Sequence, residues 1–125
     1  MRRLLLTGAA LGILLGCGDD QAAGPSSGVL EIRLSGPAGA GAALLLVEGG
    51  TIDTVEAAGY FTASAAPTET SRRVLVAGRN LGGALARIGV PDLRRAYRVT
   101  LIEIADGTSY QLLDPTGFTL TVGRP

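Results

Sequence analysis

Tyr97-Arg98-Val99-Thr100-Leu101-Ile102-Glu103-Ile104-Ala105 runs into Asp106-Gly107, and then come Ser109-Tyr110-Gln111-Leu112-Leu113, Asp114-Pro115-Thr116-Gly117 and Phe118-Thr119-Leu120-Thr121-Val122. Three β-prone runs divided by two compact turn signals predict a three-strand antiparallel meander. Asp-Gly between such runs marks a two-residue type I′ hairpin. Asp114-Pro115-Thr116-Gly117 puts proline second in a type I turn and leaves glycine free to be left-handed. The Asp-Gly loop would pair Leu101 with Leu112 and Glu103 with Tyr110. A bulge at Gly117 would then pair Asp114 with Phe118, Leu112 with Leu120 and Tyr110 with Val122. In that register Tyr97, Val99, Leu101, Tyr110, Leu112, Phe118, Leu120 and Val122 share one face. Arg98, Thr100, Ser109, Gln111, Thr119 and Thr121 share the other, with Ile102, Ile104 and Leu113. Without the bulge the register slips by one and Phe118 joins Gln111 and Thr100, so the bulged register is the expectation.

Upstream, Leu30, Ile32 and Leu34 alternate with Val29, Glu31 and Arg33, the period of a half-buried strand. Ala42 to Val47 is a continuous apolar run. Gly49-Gly50 then precedes Ile52 to Val55, which predicts a two-residue hairpin with positive φ at both turn positions. A less regular stretch surrounds Gly59-Tyr60-Phe61, and Val74-Leu75-Val76 is a further strand. Residues 84–90 alternate Ala84, Ala86, Ile88 and Val90 with Leu85, Arg87 and Gly89, and Pro91 ends the run by removing a donor. A helix over 81–90 would carry Gly82, Gly83 and Gly89 at about 1 kcal/mol each relative to alanine, so strand is preferred. Pro91 to Arg95 fits a short helical turn. The expected fold is all-β: a small antiparallel sandwich of seven or eight strands ending in the meander, with a small barrel as the alternative.

The N-terminus has a different grammar. Arg2-Arg3 precedes an apolar run, Leu4 to Leu15, that is too short to span about 30 Å of hydrocarbon and is closed by Asp19-Asp20. A basic n-region followed by a short h-region is the pattern of a secretory signal. Leu14-Leu15-Gly16-Cys17 resembles the lipobox of bacterial lipoproteins. That resemblance implies removal of residues 1–16, a diacylglyceryl thioether on Cys17 and, in many bacteria, a further acyl chain such as palmitate on its new amino group. Two or more chains anchor stably, at about 0.8 kcal/mol per buried methylene. Residues 18–28 are small, polar and aperiodic, a tether with an r.m.s. span of roughly 17–20 Å. The expected organisation is a signal peptide over 1–16, lipidated Cys17 and tether over 17–28, and one domain over 29–125. It would sit in the bacterial envelope on the inner or outer membrane, outside the cytoplasm.

Composition excludes more than it suggests. The chain has neither histidine nor lysine. That removes the Ser-His-Asp triad, imidazole metal sites, the P-loop, the Ser-Lys dyad and Schiff-base chemistry. The single cysteine, Cys17, is assigned to lipid, so no thiol nucleophile or disulfide is expected. Without Arg2 and Arg3, nine arginines face eleven acids, which gives no electrostatic case for nucleic acid. No cofactor, metal or catalytic residue is expected, and the chain is not read as an enzyme.

Tyr60 and Phe61 are the candidate contact residues: one ring for the core and one for a ligand or partner, or simply a strand start with one ring at a rim. Glu103 opposite Tyr110 would be a carboxylate on the core face or at the solvated end of the sheet. Asp53, Asp106 and Asp114 would bind calcium only if their loops met; as turn residues they need no ion. Arg72-Arg73 and Arg94-Arg95-Ala96-Tyr97-Arg98 read as solvated basic clusters or as contacts for headgroups or an acidic partner. Gly36 to Gly41 lacks the third spaced glycine, lysine and helix of a phosphate loop.

Val74-Leu75-Val76-Ala77-Gly78 and Gly83-Ala84-Leu85-Ala86-Arg87-Ile88-Gly89-Val90 resemble the central strands of cohesin-type sandwiches. The resemblance covers under a fifth of the chain and implies a sandwich used for adhesion or scaffolding, with no binding residues carried over. The expected function is a membrane-anchored, non-enzymatic binding module for a protein or envelope component, through a sheet face or an edge strand open to β-augmentation. The alternative is a structural envelope or assembly subunit without a discrete ligand.

Overall fold

The computed structural model describes residues 25–125. The expected signal peptide over 1–16, Cys17 and most of the expected tether lie outside the described residues. Eight strands form in chain order: β1 Gly28–Ser35, β2 Ala40–Glu48, β3 Thr54–Ala57, β4 Phe61–Thr68, β5 Ser71–Ala77, β6 Gly83–Val90, β7 Arg98–Asp106 and β8 Thr119–Gly123. They make two antiparallel four-stranded sheets that do not close into a barrel. The first has the order β3-β6-β1-β8 and the second β4-β5-β2-β7. Ahead of β1, the Leu93 N–H donates to the Ser26 carbonyl at 2.7 Å, so the chain is fastened to the body from Ser26 onward.

The core lies between the sheets. β1 contributes Leu30, Ile32 and Leu34, and β2 contributes Ala43, Leu45 and Val47, all buried. Val74 and Val76 of β5 and Leu85, Ile88 and Val90 of β6 complete its centre. The alternation read in β1 and the strand over 83–90 are both present. A bulge between Ile32 and Arg33 lets Leu85 turn inward beside Ala86.

The meander does not form. β8 leaves the second sheet and pairs with β1 in the first, Leu34 with Leu120 and Ile32 with Val122. Two local causes are visible. The Asp106 carboxylate accepts from the N–H groups of Thr108 and Ser109 and from the Ser109 hydroxyl. That stabilises a four-residue loop in place of the Asp-Gly turn. The only remnant of the returning strand is a bridge between Ala105 and Leu112, so the pairings of Leu101 with Leu112 and of Glu103 with Tyr110 are absent. At the second turn, the Asp114 side chain caps Thr116 and the turn runs on as a short 3₁₀ segment, Pro115–Gly117. Gly117 has no positive φ, so no bulge forms and the chain is sent across to the other sheet.

A second bulge corrects the face assignments in β7. Leu44 pairs with Glu103 but Leu45 pairs with Leu101, leaving Ile102 as the extra residue. Val99 and Leu101 point inward as expected. Beyond the bulge the faces exchange: Ile104 is buried and Glu103 exposed. Leu112 is exposed, and Leu113 packs against the core.

Gly49-Gly50 is not a hairpin either. It carries the chain from β2 in one sheet to β3 in the other, with only Gly49 at positive φ, +122°. A side chain on Gly49 would collide with the Ala96 carbonyl. The Tyr97 ring is buried against this crossing and its hydroxyl donates to the Thr51 carbonyl. From the other side, Arg72 donates to the Ile52 carbonyl at 2.7 Å. Of the seven connections, only β4 to β5 joins neighbours in one sheet. Pro91 to Arg95 is a hydrogen-bonded turn rather than a helix, closed by Arg95 N–H to the Asp92 carbonyl.

Candidate functional site

The outer faces of the two sheets differ in chemistry. On the first sheet, Glu31 is only 7% exposed although it points away from the core. Arg33 and Arg87 cover it, with charged contacts of 2.6 and 3.2 Å. The Arg33 hydrogen bond is the largest cause of a Glu31 pKa below the usual carboxylate range, opposed in part by desolvation and reinforced by Arg87. Glu56 pairs with Arg87 in register, and Thr121 with Arg33.

The second sheet presents apolar rows. One runs Phe61, Ala77, Ala42, Ala105 across β4, β5, β2 and β7, and Leu112 follows through its bridge. The next runs Ala63, Leu75, Leu44, Glu103, and the third Ala65, Arg73, Leu46, Thr100. Because alanines alternate with leucines and aromatics, the surface is hollowed. A depression of about 290 Å³ lies over Ala63 and Ala65, walled by Leu75, Leu44 and Arg73. Another of about 230 Å³ has a floor of Gly41, Ala42, Ala77 and Ala105, with Tyr110 at its rim. A third hollow sits between Leu75, Leu44 and Leu112. Phe61, Leu75, Ile102, Tyr110 and Leu112 are the exposed large apolar or aromatic residues of this side.

Tyr60 and Phe61 separate as an adjacent pair entering a strand must. The Tyr60 ring packs on the core and its hydroxyl lies 3.2 and 3.1 Å from the Asn80 and Gly82 carbonyls. Phe61, 67% exposed, opens the edge strand β4 on the apolar face. Tyr110 is a non-glycine residue with φ +62° and is 81% exposed. A non-glycine residue there costs of order 1 kcal/mol or more. The four-residue loop sets that conformation through Tyr110 N–H to the Asp106 carbonyl at 3.1 Å.

The three aspartates are not brought together: among the described residues no group of three acids or cysteines could hold a metal ion. Asp106 and Asp114 serve their own turns, and their pKa values are lowered mainly by the backbone N–H groups of Ser109 and Thr116 respectively. The basic clusters also divide. Arg72 reaches into the β2–β3 crossing and Arg73 faces outward, Arg94 pairs with Asp92, and Arg98 lies 3.8 Å from Glu48. Among the described residues no helix is long and apolar enough to cross a membrane.

Sequence reasoning named Phe61, which is exposed on this face, as a candidate contact but did not assemble Leu44, Leu75, Ala42, Ala77 and Leu112 into one surface. The signal was present in β2, whose run Ala42 to Val47 lacks the alternation of β1. A strand apolar on both sides is one that expects cover on both faces. Comparisons with protein-family models, with curated proteins and with solved structures find no match for this chain.

Proposed function

We propose that the chain is a lipid-anchored envelope protein whose sandwich is a non-enzymatic binding module, and that the apolar outer face of the second sheet is its contact surface. The supporting observation is the contrast between the two outer faces: one is charged and self-paired, the other apolar, hollowed and open. A contiguous apolar patch rimmed by polar groups is characteristic of surfaces that meet a protein or another envelope component. The hollows are open and none is lined by more than one acid, which favours a broad macromolecular contact over a small-molecule pocket. The anchor rests on Leu14-Leu15-Gly16-Cys17.

Two experiments test the two halves. Cys17→Ser should move the protein out of the membrane fraction; retention there after a high-salt wash would overturn the lipid anchor. For the face, the immobilised protein is exposed to detergent-solubilised envelope from the source cells, beside a Leu44→Glu/Leu75→Glu variant. Saturable capture by the parental chain and loss in the variant is the expected result. Equal capture by both would overturn the assignment of the face.

A further inference from the structure

The second sheet ends in an edge strand that is complementary to itself. The edges of the second sheet are β4, eight residues, and β7, nine residues but carrying Arg98, Glu103 and the bulge at Ile102. The edges of the first sheet are four and five residues long, and the β7 edge is bridged at one end by Leu112. Natural edges are usually blunted by charge, proline or bulges. Here no charged residue occurs between Phe61 and Thr68, and Pro67 and the bulge between Ala65 and Thr68 occupy only the far end. Residues 61 to 65 stay in regular register with β5.

We infer that the chain forms a two-fold homodimer by antiparallel pairing of β4 with β4 of a second copy, centred on Ala63, which joins the two second sheets into one of eight strands. Residues directly opposite in an antiparallel pair share a face. Centring on Ala63 sets Phe61 opposite the partner's Ala65 on the apolar face, and Thr62 opposite the partner's Ser64 on the other. The large residue meets a small one and the hydroxyls meet each other, with no charge in the seam. The depression over Ala63 and Ala65 adjoins the position where the partner's Phe61 stands, and the two-fold axis repeats this knob and hole on the other side, as a closed isologous interface requires. Arg73 pairs with Ala65 in register and has no ion pair among the described residues. Over so small a side chain, its guanidinium can reach the face of that ring as a cation–π contact. The apolar face doubles in width and becomes continuous across the axis. The inference needs neither the lipid anchor nor the partner proposed above.

The test uses the full chain, extracted in detergent, carrying Ala63→Cys. Two-fold pairing brings the two Cα atoms of residue 63 to about 4.5–5.5 Å, within disulfide range. Mild oxidation should yield a covalent dimer. It should be absent from the parental chain, which controls for Cys17, and from Ala57→Cys on the β3 edge. Adding Phe61→Glu, at an exposed site that folding does not use, should cut the cross-linked fraction on the order of tenfold, as losing a central aromatic contact does. No dimer at residue 63 with the β-sheet circular dichroism intact would overturn the inference. So would equal cross-linking at residues 57 and 63, or a dimer indifferent to Phe61→Glu. A lost dimer with envelope capture retained would leave the binding face standing.

Discussion

At the centre of the first sheet's outer face, Glu31 lies between Arg33 and Arg87; at the centre of the second's, Leu44 lies between Leu75 and the Glu103 stem. The two strands concerned, β1 and β2, bury equivalent trios: Leu30, Ile32 and Leu34 against Ala43, Leu45 and Val47. Their inner faces do the same work of exclusion from water, at about 25 cal/mol per Å² of apolar surface. Their outer faces do not. β1 spends its outward positions on an ion-paired ladder that water solvates readily. β2 spends them on alanine and leucine, which are only half-buried and leave apolar area exposed. A sandwich of this size needs one core, and the second sheet carries the makings of another layer. The difference therefore separates what the fold requires from what an added contact would require.

The largest effects should follow the inner faces and ignore which sheet is touched. Leu45→Ala and Ile32→Ala each remove a fully buried side chain and should cost about 2–5 kcal/mol. Leu44→Ala, one residue from Leu45 but outward, should cost less than half as much. Urea unfolding reads all three. Comparable losses at positions 44 and 45 would mean that the outer face is already covered, and the contrast between the faces would fail. Next comes Gly49→Ala in the crossing that ties the sheets together. Its φ of +122° and the approach of the Ala96 carbonyl predict a loss above about 1 kcal/mol. A neutral result would show that the crossing relaxes freely.

The sandwich class was legible because period two in β1, and glycines unfavourable to helix in β6, are local properties. So was the division of Tyr60 from Phe61, which follows from adjacency in a strand. Partner choice was not. Asp106-Gly107 and Gly49-Gly50 both carry hairpin chemistry, yet Asp106 uses its carboxylate on Thr108 and Ser109, and Gly49 is held beneath Ala96 and Tyr97. For Gly49-Gly50, whether the turn folds back or crosses over is decided by residues nearly fifty positions away, as with Tyr97 and Thr51. The bulge at Ile102 likewise hid Ile104 in the core and brought Glu103 out, since a single extra residue inverts every later face. The apolar face was missed for the same reason. Its rows draw one residue from each of four strands, and they assemble only once the sheet order is known.

Acid titration sharpens the contrast from the first sheet's side. Glu31 has a folded-state pKa below its unfolded value. Its contribution to stability is therefore complete above the unfolded glutamate value of about 4.3 and is lost as pH falls through the lower folded value. Glu31→Gln should lower the urea midpoint at pH 7, and the gap from the parental chain should shrink below about pH 4. A gap independent of pH would mean that the ladder acts by packing of the arginine stems rather than by charge.

The smallest expected change in stability is the one that bears most on function. Leu75 sits in the middle of the apolar rows, outward and flanked by Ala63 and Leu44. Leu75→Ser removes exposed apolar area without opening the core, so stability should move by no more than about 0.5 kcal/mol. The same substitution takes the wall from two of the three hollows. Binding of an environment-sensitive hydrophobic dye, and capture of the envelope component, should both fall, whereas Thr121→Ala on the opposite face should alter neither. If Leu75→Ser destabilises the fold as strongly as Leu45→Ala, the second sheet's outer face belongs to the core. If it leaves stability, dye binding and capture all unchanged, the apolar rows are a neutral surface, and any contact must be carried by the β4 edge.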